Sequence, residues 1–299
     1  MFSSLTKING YNPIKALFLK EFWDHRRAIL ITPMVITGLF IVFVIGALVT
    51  GNEIFFNDMS LTEQMREGFS EARDEGWAPS SIITRMIVGS TVLLWIGALF
   101  TITFTSLSSL HDERKDGSIL FWKSMPVSDT QEVLVKLATV AFVIPLMVVP
   151  FALIIEFFMV IVMTVIGLTN GLNLWEMLYS NINIPLLLVL NIVPQLITVL
   201  WILPIIAWFM LVSSFSRRPP FLIAFAVPAI VIATEEIFFN GSLLVNAIVT
   251  LFENWAQNLG EGTYFATTSF SEPSFWVGLI IAGGLTAGSI YFRKRHALA

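Results

Sequence analysis

Six long stretches of the chain carry almost no charge, and they constrain its fold more than any other feature. A helix needs about 20 apolar residues to cross the roughly 30 Å hydrocarbon core of a bilayer. The third stretch holds one charged residue, Glu156; the fifth holds Glu235 and Glu236 near its end; the others hold none. The stretches cover residues 29–50, 86–110, 137–168, 182–215, 219–239 and 275–292. The sequence therefore predicts six transmembrane helices.

The composition excludes several classes of protein. Charged residues make up 13% of the 299 residues, against about 25% in soluble domains. So few polar groups cannot cover a soluble globule, which excludes an ordinary soluble enzyme, a disordered chain and a nucleic-acid-binding domain. The chain contains no cysteine and three histidines, so disulfides are impossible and we expect no metal site. We predict an all-α membrane protein, with residues 1–299 forming one transmembrane domain in a lipid bilayer.

The third and fourth stretches exceed the length of a single crossing. At 1.5 Å per residue, neither is long enough for two full crossings and a turn. We interpret each as one tilted or kinked helix. Prolines can produce the kinks, and they stand at Pro145 and Pro150 in the third stretch and at Pro185, Pro194 and Pro204 in the fourth.

The basic residues predict the orientation. If the N-terminus is inside, 14 of the 17 lysines and arginines lie in inner segments, and Arg66, Arg73 and Arg85 lie outside. Inner loops of membrane proteins carry this excess of positive charge. We therefore expect a multi-pass protein of the bacterial inner (plasma) membrane with both termini in the cytoplasm.

Two further helical segments are predicted beside the spans. Residues 12–27 combine a capping Asn12 and a helix-starting Pro13 with apolar residues at helical spacing. This pattern indicates an interfacial helix on the cytoplasmic membrane surface, and the alternative is a helical extension of the first span. Residues 241–261 are too polar to cross the bilayer. We interpret them as an outer re-entrant segment, or alternatively an outer surface helix.

The cytoplasmic loop at residues 111–130 is the most informative segment. A mixed-charge run from Asp112 to Asp116 precedes Gly117, and the aromatic pair Phe121 and Trp122 follows. Exposed aromatics beside charges indicate a docking surface for a soluble partner. Aromatics that lie among lipid headgroups are an equal alternative. A capping pattern for the third span follows, from Ser128 with Gln131 or from Asp129 with Glu132.

Residues 113–129, ERKDGSILFWKSMPVSD, followed by VLVKL at 133–137, resemble permease subunits of type-2 ABC transporters. In that family a stretch of the form ER..G....W.S.P.S lies between the second and third spans. The predicted layout is also similar over nearly the whole chain. It comprises an N-terminal interfacial helix, six spans and an outer half-inserted segment before the last span.

The resemblance implies an assembly of two permease chains, identical or homologous, with two separate ABC ATPase chains. It implies that the loop couples the permease to the ATPase, which would carry the ATP and Mg²⁺. It implies ATP-driven export, of a peptide, antibiotic or lipid that the sequence does not identify. The residues in the matching coupling positions are Glu113, Arg114, Lys115, Asp116, Gly117, Phe121 and Trp122.

A phosphate-binding loop is absent from this sequence. The nearest approach to G-x-x-x-x-G-K-[ST] is the run from Gly46 to Gly51, which is followed by Asn52 and Glu53 instead of the required lysine and hydroxyl residue. We therefore expect the chain not to be an enzyme, to hold no cofactor, and to depend on another chain for ATP hydrolysis.

Three acidic residues within the spans are candidates for a functional role, because a charge inside a membrane is costly. We expect Glu156 to face the transport pathway or the interface between permeases. Glu235 and Glu236 are weaker candidates, since outer headgroups would accommodate them.

The sequence leaves two other functions to consider. A membrane channel or scaffold without an ATPase is excluded only by the loop resemblance. An intramembrane protease would need an arginine after the Glu235–Glu236 pair and histidines within the membrane. Neither is present, because Ile237 and Phe238 follow the pair and all three histidines lie in predicted cytoplasmic segments.

Overall fold

Among the residues that the structure describes, the secondary structure is helical apart from a two-residue β-ladder. A computed structural model describes residues 13–50, 55–56, 59–60, 86–124, 127–169, 179, 182, 184–217, 219–239, 243–250, 253 and 269–295. β1 (Phe55–Phe56) pairs antiparallel with β2 (Met59–Ser60). The helices are α1 (Pro13–Arg26), α2 (Thr32–Thr50), α3 (Val92–Ser108), α4 (His111–Lys115), α5 (Ser118–Ser124), α6 (Asp129–Ala138), α7 (Ile144–Thr169), α8 (Ile184–Phe215), α9 (Pro220–Phe239), α10 (243–250) and α11 (Pro273–Arg295).

The prediction of six apolar helices is confirmed. Six helices in the described part of the chain are long and apolar enough to cross a membrane. They lie at Pro13–Thr50, Val92–Lys115, Asp129–Thr169, Ile184–Trp201, Pro220–Phe238 and Pro273–Arg295. The chain is an all-α membrane protein.

The third helix is much longer than a bilayer is thick. It runs without a break through α6, a π-helical segment at Thr139–Val143 and α7. Its 41 residues correspond to about 60 Å at 1.5 Å per residue, roughly twice the hydrocarbon thickness. The fourth stretch is likewise one helix, α8, with Pro194 and Pro204 inside it. Each is a single helix, as the sequence predicted.

The first helix is also continuous. The described part of α1 starts at Pro13, and a π-helical segment at Arg27–Ile31 joins it to α2. Helical structure therefore continues directly into the first span, which does not decide between a surface helix and an extension of that span. The position of α1 at the membrane surface stays a prediction.

A capping box begins α6. The Ser128 side chain accepts a hydrogen bond from the Gln131 backbone N–H at 3.2 Å, and the Gln131 side chain accepts one from the Ser128 N–H at 3.0 Å. Of the two capping patterns predicted here, Ser128 with Gln131 is the one formed. It satisfies two of the backbone donors that a helix start leaves free.

The chain divides into two compact units. The first comprises Met1–Ile29, Leu99–Leu146 and Pro194–Ala299, and the second comprises Leu30–Ala98 and Met147–Val193. In the first unit, three buried side chains form an apolar cluster. They are Leu110 directly before α4, Val133 of α6 and Met210 of α8. In the same unit, Trp201 of α8 packs edge-on against Phe275 of α11, with ring centroids 5.3 Å apart.

The second unit has a larger apolar core. It is built from α3, α7 and the first part of α8, with the helical turn at 86–89. Ala152 and Ile155 of α7 are fully buried there, and Trp95 of α3 packs into the same core. α2 joins this core through the partly buried side chains of Ile36 and Phe40.

Many large apolar side chains remain on the surface. From Phe225 to Phe238 no side chain of α9 is buried, and Leu39, Val42 and Phe43 of α2 are mostly exposed. Exposure of so much apolar surface to water would be unfavourable, whereas its contact with lipid tails is not. The exposed faces therefore agree with a membrane protein.

Parts of four predicted segments lie outside the described residues. Two of these parts are single residues, Asn12 of the segment 12–27 and Asn183 of the stretch 182–215. In the predicted re-entrant segment 241–261, the described residues are helix α10 and Glu253. In the cytoplasmic loop, Met125 and Pro126 fall outside the description.

Neighbouring isoleucines on α7 provide a test of the core of the second unit. Ile155 is 1% exposed and Ile154 is 49% exposed. We expect Ile155→Ala to lower the free energy of unfolding by about 2–4 kcal/mol, because it leaves a cavity. Ile154→Ala, the matched control, is expected to cost less than about 1 kcal/mol. Equilibrium unfolding in detergent measures both, and equal losses would contradict the packing described.

Candidate functional site

Six charged side chains meet in the first unit, and we call them the charged cluster. α1 and α6 each contribute two of them, and α4 and α11 contribute one each. All are buried except one, which is half-buried. The charged cluster consists of Lys20, Glu21, Glu113, Glu132, Lys136 and Arg293.

Local sequence positions several of these side chains. Glu132 and Lys136 are four residues apart on α6, so they lie on one face of that helix. Lys20 and Glu21 are adjacent on α1, where Leu17 is also buried. Arg293 belongs to the last turn of α11, where a cation also interacts favourably with the helix dipole.

Lys136 lies between carboxylates of two different helices. Its Nζ atom is 2.7 Å from Oε1 of Glu21 and 2.9 Å from Oε1 of Glu113. Lys20 also pairs with Glu113, and its Nζ atom is 3.3 Å from Oε1 of Glu21. These contacts tie α1 and α4 to the start of the third helix.

Arg293 binds the opposite side of the same carboxylate. Its Nη1 donates a hydrogen bond to Oε2 of Glu113 at 3.0 Å. The guanidinium also forms an ion pair with Glu132, and its Nε lies 3.4 Å from Oδ1 of Asp129. The last helix is therefore joined to α4 and α6 through one side chain.

The formal charges of the charged cluster cancel, with three cations and three anions. Removing an isolated charge from water costs several kcal/mol, so buried ions persist where opposite charges compensate them. Glu113 has three cationic partners, Lys20, Lys136 and Arg293. The charged cluster thus holds four helices in one arrangement, because separating any of them exposes an uncompensated ion.

The Arg114 side chain binds the C-terminal end of α8 instead of the charged cluster. Its Nη2 donates to the backbone carbonyls of Ser213 and Ser216 at 2.6 and 2.8 Å. The Ser213 hydroxyl in turn accepts hydrogen bonds from the backbone N–H groups of Leu110 and His111. A helix leaves its last carbonyls without partners, and Arg114 satisfies them at the end of α8.

α5 has one anchored face and one exposed face. Ile119 is fully buried, and Trp122 is half-buried with the Lys20 Nζ 4.1 Å from its ring centroid. Lys123 donates a hydrogen bond to the backbone carbonyl of Arg293 at 3.3 Å. On the other face, Leu120 and Phe121 are 52% and 59% exposed.

Gly117 makes the turn between α4 and α5. Its φ of +71° is the only positive glycine φ among the described residues. A residue just past a helix end commonly adopts this left-handed conformation, and glycine does so without steric cost. The turn lets α5 leave the direction of α4 directly beside the charged cluster.

Of the seven predicted coupling residues, three are buried or half-buried and four are exposed. Glu113 and Arg114 are buried and occupied by partners within the chain. Trp122 is half-buried against Lys20. The exposed members are Lys115, Asp116, Gly117 and Phe121.

The charged cluster is not evident as a unit from the sequence. Of its six members, only Glu113 was a candidate site residue. The available signal was the spacing of Glu132 and Lys136 at the start of a span, together with Arg293 at the end of another. Opposite charges at equivalent ends of several spans can meet, but periodicity does not say which of them do.

The three acidic candidates within the spans have different surroundings. Glu156 is buried in the second unit and accepts a hydrogen bond from Asn191 Nδ2 at 2.7 Å. The Glu235 carboxylate accepts backbone hydrogen bonds from Leu243 and Leu244, at 2.7 and 3.1 Å, and so caps the start of α10. Glu236 is exposed. A role of these residues in a pathway or an interface stays a prediction.

No group of three or more histidine, cysteine or acidic side chains that could hold a metal ion occurs among the residues described. The chemistry of the charged cluster is that of ion pairing. Its lysine, arginine and glutamate side chains pair with one another across four helices.

Comparison with known proteins returns no relative. No protein-family model, no curated protein and no solved structure matches this chain.

The charged cluster predicts that substitutions of two lysines will change the free energy of unfolding by very different amounts. Lys136→Met removes a buried cation between two carboxylates, and we expect it to lower the free energy of unfolding by about 3–5 kcal/mol. Lys294→Met, at an exposed position beside Arg293, is the control and is expected to change stability by less than about 0.5 kcal/mol. Unfolding in detergent monitored by circular dichroism measures both. A small, equal effect of the two changes would contradict the central place of Lys136.

The turn at Gly117 predicts opposite effects for two glycine substitutions. Gly117→Ala is expected to destabilise the protein by about 1 kcal/mol, because alanine disfavours a positive φ. No atom lies within 4 Å of the added Cβ, so the cost is conformational. Gly283→Ala in α11 also meets no atom within 4 Å, and it should be neutral or stabilising by up to about 1 kcal/mol. Melting temperatures of the purified variants give the two signs.

Proposed function

We propose that this chain is the membrane-spanning permease subunit of an ATP-driven ABC exporter. In this proposal the permease converts movement of a separate ATPase into export of a peptide, antibiotic or lipid. The observation that carries the proposal is α5, a short helix that exposes Leu120 and Phe121 while its opposite face is fastened to the charged cluster. A loop whose task was only to connect two spans would require neither feature.

The exposed face of α5 supports a docking role. Leu120 and Phe121 present apolar surface beside the exposed charges of Lys115 and Asp116. Protein interfaces have this composition, with an aromatic centre inside a polar rim. The residues also belong to the segment that resembles type-2 ABC permeases.

The anchored face of α5 supports force transmission. Trp122 contacts Lys20 of α1, and Lys123 contacts the backbone of Arg293 in α11. Glu113, on the helix before the Gly117 turn, binds Lys20, Lys136 and Arg293. A displacement of α5 would therefore act on α1 and α11 through side-chain contacts, and on the third helix through α6.

The proposal includes an assembly and a location. Two ABC ATPase chains bind the ATP and Mg²⁺ on the cytoplasmic side, and a second permease, identical or homologous, completes the pathway. The chain is placed in the bacterial inner membrane with both termini in the cytoplasm, because that orientation puts 14 of 17 basic residues inside. α5 then faces the cytoplasm, where the ATPase is.

Purification of the tagged full-length chain from membranes of its own host tests whether the chain is a subunit of an ABC exporter. We expect a protein with an ATP-binding cassette to co-purify, and the complex to hydrolyse ATP. Isolation of the permease with no such protein, after cross-linking in intact membranes, would support the alternative of a channel or scaffold and contradict the exporter.

The docking face yields a quantitative prediction for this complex. Phe121→Ala removes the most exposed aromatic of α5, and we expect it to weaken ATPase binding by about 2 kcal/mol, or roughly 30-fold. Phe100→Ala on α3, at a side chain that is also mostly exposed, is the matched control and should bind normally. Titration of the purified permease with the co-purifying ATPase measures both. Equal affinities of the two variants would contradict docking on α5.

A further inference from the structure

Glu156 and Asn191 form a polar pair inside the apolar core of the second unit. Glu156 is 2% exposed and Asn191 is 1% exposed. Ala152, Ile155 and Met159 of α7 and Leu187 of α8 are buried in the same core. The pair therefore links α7 to α8 where water has no access.

The described part of the second unit offers no cation to Glu156. Across its described residues, at 30–50, 55–56, 59–60, 86–98, 147–169, 179, 182 and 184–193, Glu156 is the only charged side chain. A buried carboxylate without a compensating charge is strongly unfavourable, and the group then takes up a proton and becomes neutral.

The hydrogen bonds of the pair also favour a neutral Glu156. Asn191 Nδ2 donates to Oε1 of Glu156 at 2.7 Å and to the backbone carbonyl of Leu187 at 2.9 Å. Both N–H groups of the amide are therefore used. Within the described chain, Oε2 of Glu156 and Oδ1 of Asn191 have no hydrogen-bond partner. An ionised carboxylate oxygen and an amide oxygen are both acceptors and cannot satisfy one another, whereas a hydrogen on Oε2 supplies the missing donor.

We propose that Glu156 and Asn191 form a proton-binding site within the membrane domain. Glu156 holds one proton on Oε2 and donates it to Oδ1 of Asn191, while Oε1 accepts from Nδ2. The result is a cyclic acid–amide pair with two hydrogen bonds between α7 and α8. The bound proton makes the glutamate neutral and completes the hydrogen bonding of both side chains.

This arrangement ties the proton to the packing of two helices. If α7 and α8 separate and water enters, Glu156 loses the amide and gains a solvent that stabilises its ionised form, so the proton leaves. Release of the proton thus accompanies opening of the core. This site is independent of the ATPase docking proposed above.

Infrared spectroscopy of the full-length protein in lipid vesicles at pH 7 tests the site. A protonated carboxylic acid has a carbonyl band separate from those of ionised carboxylates. We expect the wild-type spectrum to contain one such band that shifts when the protein is labelled with ¹³C-carboxyl glutamate. Glu156→Gln should abolish the band, and Glu236→Gln, at an exposed position, should leave it unchanged.

A second variant tests the partner. Asn191→Leu removes the amide but keeps the side chain close in size, so the band should remain and move to higher wavenumber as its hydrogen bond is lost. A band at the wild-type position in this variant would overturn the pairing with Asn191. Circular dichroism establishes that the variants are folded, and the isotope shift in the wild-type protein tests protonation even where a variant does not fold.

Two results would overturn the proton site. Absence of a glutamic acid band from the labelled wild-type protein would mean that Glu156 is ionised, with a cation partner supplied by another part of the chain. Appearance of the band only after Na⁺ and K⁺ are removed from the buffer would mean that a monovalent cation occupies the site instead.

Discussion

The position of Glu113 among three cations is the constraint on which the first unit depends. Its carboxylate accepts from Arg293 at one oxygen and pairs with Lys136 and Lys20 at the other. Ions of this kind are costly to bury and costlier to separate once buried. The helices that carry them therefore have one favourable arrangement. α5 is attached to two of these helices, α1 and α11.

The chain buries acidic groups in two different ways. In the charged cluster, lysine and arginine side chains from other helices form ion pairs with the glutamates. In the second unit, Glu156 has an amide partner and no cation among the residues described, and we have proposed that a proton neutralises it. The same desolvation cost thus selects a counter-ion where one is near and a proton where none is.

α5 connects these structural facts to the proposed function. A docking helix must expose side chains for its partner and must also be attached firmly enough to transmit a displacement. Leu120 and Phe121 meet the first requirement, and Trp122 and Lys123 meet the second. The change from one role to the other within four consecutive residues follows from helical geometry, which turns successive side chains about 100° apart.

The sequence by itself determined the six apolar helices and the capping box of Ser128 and Gln131. These features are local, since they depend on hydropathy and on residues within a turn of one another. Only the tertiary structure decided which charges meet. Glu113 and Arg293 are 180 positions apart, and Arg114, adjacent to Glu113, binds the end of a different helix. No local pattern encodes such partners, because the pairing of buried ions depends on how the helices pack in three dimensions.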